Sequence, residues 1–196
     1  IRAGGGLRAG RTIVAGEDIR VSGSIHSGGT LQAGGGIRAD WGIEVQQALV
    51  CGGDLRAAWD LVCHGKLSLQ GNAFVGQDLI VHGQLECGKG LNAGGAIVCA
   101  DSVRAGQGML AGGAVSGGMH LEAGWGIKSG ESIQANGSIK VGESLSAGDE
   151  IRAGAGYGVY AGLNVQLETW ESSAQVRAQK KPDGLMSGCW AGPRVV

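Results

Sequence analysis

Aliphatic residues recur at every sixth position from Ile1 to Leu163. Stepping by six gives 28 consecutive positions, of which only Ala73, Met109 and Tyr157 are not Ile, Leu or Val. A small or β-branched residue, mostly Ala, Cys, Ser or Val, stands two positions after each, and Gly usually follows. Apolar residues at a spacing of two lie on the same face of a strand, with the middle residue on the other face. The pattern therefore predicts three-residue strands joined by three-residue corners.

Repetition of this unit without an insertion predicts an all-β fold, a single-stranded parallel β-solenoid (β-helix) of hexapeptide repeats. Each rung of such a solenoid stacks on the next at about 4.8 Å and buries its core only together with its neighbours. The repeat predicts a solenoid over residues 1–165. The rhythm stops near Val165, and residues 166–196 predict a C-terminal capping tail that contains two Trp and both prolines. The apolar residues of the tail that could cover the last rung are Trp170, Val176, Leu185, Met186 and Trp190.

Two rung sizes are compatible with a six-residue unit: two units with two strands, or three units with three strands. The middle positions of the strands should share character where they stack. At period 12, one series gathers most apolar residues and the other most cations, and Cys51, Cys63, Cys87 and Cys99 are separated by multiples of 12. We therefore favour two strands per rung and about 14 rungs, roughly 65 Å in length. A triangular rung of three units stays open.

Composition excludes several other classes of protein. The chain has 41 Gly among 196 residues but only two Pro, which does not fit collagen. Apolar residues make up 43% of the chain, too many for an ordinary disordered linker. A helical domain is excluded because each interior Gly would cost roughly 1 kcal/mol relative to Ala.

Charge and cysteine content indicate the compartment. The formal net charge of −1 favours neither a nucleic acid nor a membrane surface as a partner. No apolar run is long enough to span a bilayer. Five Cys, an odd number without a CxxC motif, are typical of reduced thiols in a cytosolic protein. We expect a cytoplasmic protein, and a chain that begins at Ile1 leaves room for an upstream segment.

The surface positions supply the candidate binding residues. At period 12, an outward apolar stripe forms that is interrupted by Glu86, and its members are Val50, Val62, Phe74, Val98 and Leu110. A contiguous apolar patch on a soluble protein usually marks an interface. Exposed Trp residues at corners are frequent interface anchors, and the candidates are Trp41, Trp59 and Trp125. An acidic corner that includes Asp54, Asp78 and Asp101 could meet a basic partner. The alternatives are that the chain itself covers the stripe, and that the Trp side chains only shield the rungs beneath them.

Catalytic patterns are missing from the sequence. It has no nucleophile–base arrangement, no paired carboxylates on a loop and no specific phosphate-binding fingerprint, since a Gly-rich repeat matches GxGxxG by chance. At period 12, Cys51 and Cys63 would lie within disulfide distance, but small core thiols are the simpler interpretation. We predict no enzyme activity, no metal and no cofactor.

The repeat resembles highly repetitive bacterial proteins built of GIxAGxGIxAG units. The matching stretches are Gly36-Ile37-Arg38-Ala39, Gly124-Trp125-Gly126-Ile127-Lys128-Ser129-Gly130-Glu131 and Glu150-Ile151-Arg152-Ala153-Gly154. Such proteins look like the solenoid immunity proteins of contact-dependent growth-inhibition and polymorphic toxin systems. The resemblance implies a protein that binds a cognate toxin domain, for instance a nuclease, and occludes its active site without touching nucleic acid itself. It carries over no contact residues.

Other families share parts of the pattern. Bactofilins, bacterial polymer-forming scaffold proteins, also have short apolar strands punctuated by Gly, and they imply a structural polymer as the alternative function. Hexapeptide acyltransferases place their small residue four positions after the aliphatic one, whereas here it follows two positions later, as in Ile37-Arg38-Ala39. The apolar stripe would also allow a homodimer.

Overall fold

A computed structural model describes residues 1–193 as a parallel β-solenoid with three faces. In the described residues, the three parallel sheets contain eleven, nine and ten strands, and we name them sheets A, B and C. A short 3-10 turn at Leu167–Thr169 and one helical turn at Trp170–Ser173 interrupt the strands near the C-terminal end. The predicted class of fold is therefore confirmed. No helix in residues 1–193 has the length and apolarity needed to cross a membrane.

The strands follow one another around the three sheets in chain order. Sheet A contains Arg2–Ala3, Ile19–Val21, Ile37–Ala39, Leu55–Ala57, Ala73–Val75, Leu91–Ala93, Met109–Ala111, Ile127–Ser129, Leu145–Ser146, Gln175–Arg177 and Cys189–Gly192. Sheet B contains Leu7–Ala9, Ile25–Ser27, Ile43–Val45, Leu61–Cys63, Leu79–Val81, Ile97–Cys99, Val115–Gly117, Ile133–Ala135 and Ile151–Arg152. Sheet C contains Ile13–Ala15, Leu31–Ala33, Leu49–Cys51, Leu67–Leu69, Leu85–Cys87, Val103–Ala105, Leu121–Ala123, Ile139–Val141, Val159–Tyr160 and Leu185–Ser187.

Each rung consists of three six-residue units and three strands, so the prediction of two units per rung and about 14 rungs was wrong. Ile19 pairs with Ile37 and Arg20 with Arg38, and this 18-residue offset holds from the first strands to Ile151. The eleven strands of sheet A in residues 1–193 correspond to about eleven turns. The period of 12 failed because every six-residue unit has the same inward pair, so the core residues favour neither rung size.

The first and third residues of each strand form the core, as the six-residue pattern predicts. In most strands both are buried while the middle residue is partly or fully exposed. Large aliphatic side chains occupy the first position, and Leu55, Leu61 and Leu67 have no exposed surface. Small side chains at the third position let three sheets converge on one narrow interior.

The five cysteines are free thiols, and the four at regular repeat positions lie on two different sheets. Cys51 and Cys87 lie on sheet C with Leu69 between them, and Cys63 and Cys99 lie on sheet B. The expected proximity of Cys51 to Cys63 is therefore wrong, because two six-residue units carry the chain only two thirds of the way around the rung. All four side chains are buried, which agrees with small core thiols.

Close stacking explains the glycines that follow many strands. A Cβ at Gly34 would meet the carbonyl oxygen of Gly16, and one at Gly52 would meet that of Gly34. These corners approach the rung below too closely for a side chain.

The regular rhythm ends earlier than the sequence pattern predicts. Ile139 pairs with Val159, two positions beyond the regular partner Tyr157, so Tyr157 and Leu163 do not begin strands. Both side chains are about half exposed, at 48% and 52%. Glycines with positive φ, Gly156 and Gly162, open the corners on either side of this strand. The two extra residues place Val159, instead of Tyr157, at the first inward position of the strand.

The described part of the predicted tail, residues 166–193, continues the solenoid, and residues 194–196 lie outside the described residues. Its strands Gln175–Arg177 and Cys189–Gly192 extend sheet A, and Leu185–Ser187 extends sheet C. Val176 is fully buried, and Leu185 and Trp190 pack against the core. Met186, by contrast, is 67% exposed. The tail covers the last regular rungs with three of the side chains that the sequence indicated for a cap.

Candidate protein-binding surfaces

The outward side chains of sheet B form an aliphatic row at its centre. Val62, Ile80 and Val98 are the middle residues of three consecutive strands and are direct neighbours in the parallel register. Val98 is 38% exposed, and the other two side chains are partly exposed. Strand spacing places them about 4.8 Å apart along the solenoid.

Two tryptophans flank this row on the corner between sheets A and B. Trp41 and Trp59 occupy the same corner position on successive rungs, with ring centroids 6.1 Å apart and planes inclined by 15°. Their exposures are 58% and 52%. Stacking orders the two rings against each other and leaves much of their surface open to solvent. We name Trp41, Trp59, Val62, Ile80 and Val98 the sheet B surface.

Carboxylates stand around the sheet B surface. The Oδ1 atom of Asp60 accepts a hydrogen bond from the backbone N–H of Asp78 at 3.0 Å, and Asp78 accepts one from Ala96 at 2.7 Å. Asp101 lies on the corner between sheets B and C and accepts from Ser102 at 2.7 Å. Within residues 1–193 none of these three carboxylates forms an ion pair. The backbone therefore holds them in place without neutralising them.

Histidines occupy the opposite corner of the same sheet. The rings of His64 and His82 stack in parallel on successive rungs, with centroids 4.9 Å apart. The described part of the chain contains no group of three or more His, Cys, Asp or Glu that could hold a metal ion. These rings add aromatic surface to the second edge of the aliphatic row.

Sheet A carries a different surface, with an arginine ladder in its N-terminal half. Arg2, Arg20, Arg38 and Arg56 are paired in register on four consecutive strands. The next two strands place Phe74 and Asn92 at the same position. The guanidinium carbon of Arg56 lies 4.7 Å from the centroid of the Phe74 ring, which is a cation–π contact.

Shallow hollows run along this face and share their walls. One hollow of about 850 Å³ is lined by all four arginines of the ladder. A second hollow shares Arg38 and Arg56 with it and reaches Phe74, and a third joins Phe74 to Leu110 and Trp125. We name this continuous depression, from Arg2 to Trp125, the sheet A groove. It is basic at one end and apolar at the other.

Side chains at the rung corners bind the backbone of the next rung. Asp18 accepts a hydrogen bond from the N–H of Gly36 at 2.8 Å, and Asp54 accepts one from Asn72 at 2.7 Å. These N–H donors lower the pKa of both carboxyl groups. Asn72 repeats the arrangement one rung later by accepting from Gly90 at 3.2 Å. The carboxylates at this corner therefore have a structural role.

The predicted site residues are distributed over all three faces of the rung. The single apolar stripe is wrong: Val62 and Val98 lie on sheet B, Phe74 and Leu110 on sheet A, and Val50 on sheet C. The prediction of one acidic corner is also wrong. Asp54 lies at the corner between sheets C and A, Asp78 between sheets A and B, and Asp101 between sheets B and C. Trp41, Trp59, Asp78 and Asp101 border sheet B, whereas Trp125 lies against sheet A. Self-association stays a prediction, without the continuous stripe that suggested it.

Sequence reasoning missed the arginine ladder, Ile80 and Asp60. The signal was available, since the four arginines, the two stacked tryptophans and the two stacked histidines each recur at period 18. Identical residues at that spacing indicate the stacking period more directly than the grouping of apolar and cationic residues at the middle strand positions does.

Comparisons with known proteins give no relative for this chain. A scan against protein-family models finds no match, and neither the search of curated proteins nor that of solved structures finds a significant similarity. The resemblance to immunity proteins and to bactofilins therefore stays a prediction from the repeat.

Proposed function

We propose that the chain is a non-enzymatic protein-binding protein and that the sheet B surface is its principal contact. The observation that carries this proposal is the exposure of stacked Trp41 and Trp59 beside an aliphatic row. Interface centres are enriched in aromatic residues, and truncation of a buried Trp often removes much of the binding energy. The strands that carry Val62, Ile80 and Val98 are each paired on both sides, which limits the entropy lost when the aliphatic row binds a partner.

The more specific form of the proposal is an immunity protein that neutralises a cognate toxin by covering its active site. The repeat resembles such proteins, and the unpaired carboxylates of Asp60, Asp78 and Asp101 suit a partner with a basic cleft. A nuclease toxin has such a cleft because it binds phosphates. Complementary charge would speed the encounter, and the apolar centre would supply affinity.

In toxin systems of this kind the toxin and immunity genes are adjacent. The test therefore uses the C-terminal domain of the protein that is encoded immediately upstream of this chain. We expect a one-to-one complex in calorimetry and rescue of growth when both proteins are expressed in one cell. Val98→Asp and Trp59→Ala should each weaken binding by tenfold or more, because the first puts a charge in the aliphatic row and the second truncates a tryptophan beside it.

The matched control is Val14→Asp, which places the same charge at a middle strand position on sheet C. Val14 is 61% exposed, so its replacement should preserve both the fold and the complex. Equal losses for Val14→Asp and Val98→Asp would contradict the assignment to sheet B. Absence of both complex and rescue would contradict the immunity function, and filaments in electron micrographs would favour the structural polymer instead.

A further inference from the structure

We propose that the sheet A groove binds an extended acidic segment of a second protein, with an apolar side chain of that segment seated beside Phe74. This site lies on a different face from the sheet B surface and does not depend on the toxin-binding proposal. Charge complementarity identifies the occupant, because the basic half of the groove carries four arginines in a single row against three aspartates at its edges.

The arginines keep donors available for a partner. The Nη2 atom of Arg20 lies 2.8 Å from Asp18, and the Nε atom of Arg38 lies 3.0 Å from Asp40. Each guanidinium has five N–H donors, so these contacts orient the side chains without exhausting them. In residues 1–193, Arg2 and Arg56 form no ion pair. Carboxylates are the groups that match this planar fork with two parallel hydrogen bonds.

The apolar half of the groove supplies a place for an anchor. Phe74 and Leu110 stand two strands apart on sheet A, with exposures of 36% and 42%. Trp125 lies against the same hollow and is 53% exposed. An aliphatic or aromatic side chain of the partner would bury these surfaces together, which a purely acidic chain could not do.

The dimensions suit an extended peptide. Four arginines on neighbouring strands span about 14 Å, and side chains on one face of an extended chain repeat at about 6.8 Å. Two or three carboxylates of the partner can therefore lie over the ladder at once. The apolar anchor would follow within the next few residues, where Phe74 continues the row.

Acidic groups around the ladder favour a protein over a nucleic acid. Asp18 and Asp54 stand at one edge of the groove and Asp40 at the other. A nucleic-acid strand carries a phosphate at every nucleotide and would meet these carboxylates along its length. A peptide can instead place its few carboxylates on the arginines and leave neutral residues beside the aspartates.

The test measures fluorescence anisotropy with the full chain and a fluorescein-labelled peptide. The peptide carries about six alternating Glu and Asp residues followed by Leu, Gly and Trp, so that acidic and apolar parts are joined. We expect saturable binding that weakens with salt. Arg38→Glu combined with Arg56→Glu should reduce affinity at least tenfold, and Phe74→Ser should reduce it about fivefold, consistent with loss of one apolar contact.

Matched controls separate the groove from general charge. Arg8→Glu combined with Lys140→Glu makes the same change of charge on sheets B and C and should leave the affinity within twofold. Arg38→Gln with Arg56→Gln serves where charge reversal prevents folding, and it should also weaken binding. Failure of the wild-type chain to bind the peptide, or equal loss in the control, would overturn the proposal. Equally tight binding of an oligothymidylate would overturn it in favour of a nucleic acid.

Discussion

At the scale of single residues, the side chains that look chemically active satisfy the backbone. The sulfur of Cys63 lies 3.3 Å from the carbonyl oxygen of Gln47, and the hydroxyl of Ser27 makes the equivalent contact to Arg11 at 3.0 Å. Asp54 and Asn72 likewise serve N–H groups of the following rung. Functional inference from residue type alone is therefore weak in this fold, because corners and core both select polar side chains for hydrogen bonding.

Asp54 gives the first prediction about stability. Because the pKa of Asp54 is lowered in the folded state, its contribution to the free energy of unfolding is present above the ordinary carboxyl pKa of about 3.9 and is lost as the pH falls. Asp54→Ala should lower the free energy of unfolding at pH 7 by about 0.5 kcal/mol, since the site is exposed and screened. Asp54→Asn retains an acceptor, as Asn72 does, and should lose less.

Urea unfolding of the three proteins at several pH values checks this prediction. The Asp54→Asn variant should be less sensitive to acid than the wild type, because it has no carboxyl group to protonate at this corner. Identical acid sensitivity in the wild type and in Asp54→Asn would show that Asp54 does not contribute to it.

The buried thiols give a prediction of opposite sign. Burial raises the pKa of Cys51, Cys63, Cys87 and Cys99. Their contribution to the free energy of unfolding is complete below the ordinary thiol pKa of about 8.5. It is lost as the pH rises through the raised pKa of the folded state. Replacement of all four by Ser should reduce the loss of stability in alkali. Thermal unfolding at rising pH measures it, and parallel curves for the two proteins would contradict the prediction.

At the scale of the element, the sequence is sufficient to place the strands. From Leu7 to Val141, each three-residue strand begins where the six-residue pattern predicts. The inward pair of residues is sufficient to locate a strand, because the pattern does not depend on which sheet the strand joins. The prediction fails at Tyr157 and Leu163, where positive-φ glycines add residues that hydrophobic periodicity does not reveal.

Leu61 and Val62 test the element directly because they are adjacent and face opposite sides of one strand. Leu61→Asp buries an unpaired charge in a side-chain position with no exposed surface. It should lower the free energy of unfolding by about 4 kcal/mol or more, whereas Val62→Asp should cost less than about 1 kcal/mol. Chemical denaturation measures both values. A similar loss in the two variants would contradict the assignment of inward and outward positions.

At the scale of the whole molecule, the number of strands per rung decides which residues become neighbours. Quasi-equivalent six-residue units fit either rung size. The number of units per rung therefore had to be inferred from the few distinctive outward residues and from the spacing of four cysteines, which suggested two units per rung. The resulting error merged residues of three sheets into one stripe. With three six-residue units per rung, Val62, Ile80 and Val98 lie on one sheet and the arginines on another. Both binding proposals depend on this assignment.

Cross-linking between engineered cysteine pairs tests the three-strand rung most directly. All five native cysteines are first replaced by Ser, and one variant then receives Val62→Cys with Ile80→Cys, the other Val50→Cys with Val62→Cys. Paired residues on neighbouring strands lie about 4.8 Å apart, within the range of Cα separations that a disulfide spans. Mild oxidation followed by mass spectrometry of tryptic peptides should show a disulfide between positions 62 and 80 and none between 50 and 62. A disulfide between 50 and 62, with none between 62 and 80, would contradict the three-sheet solenoid and the surfaces built on it.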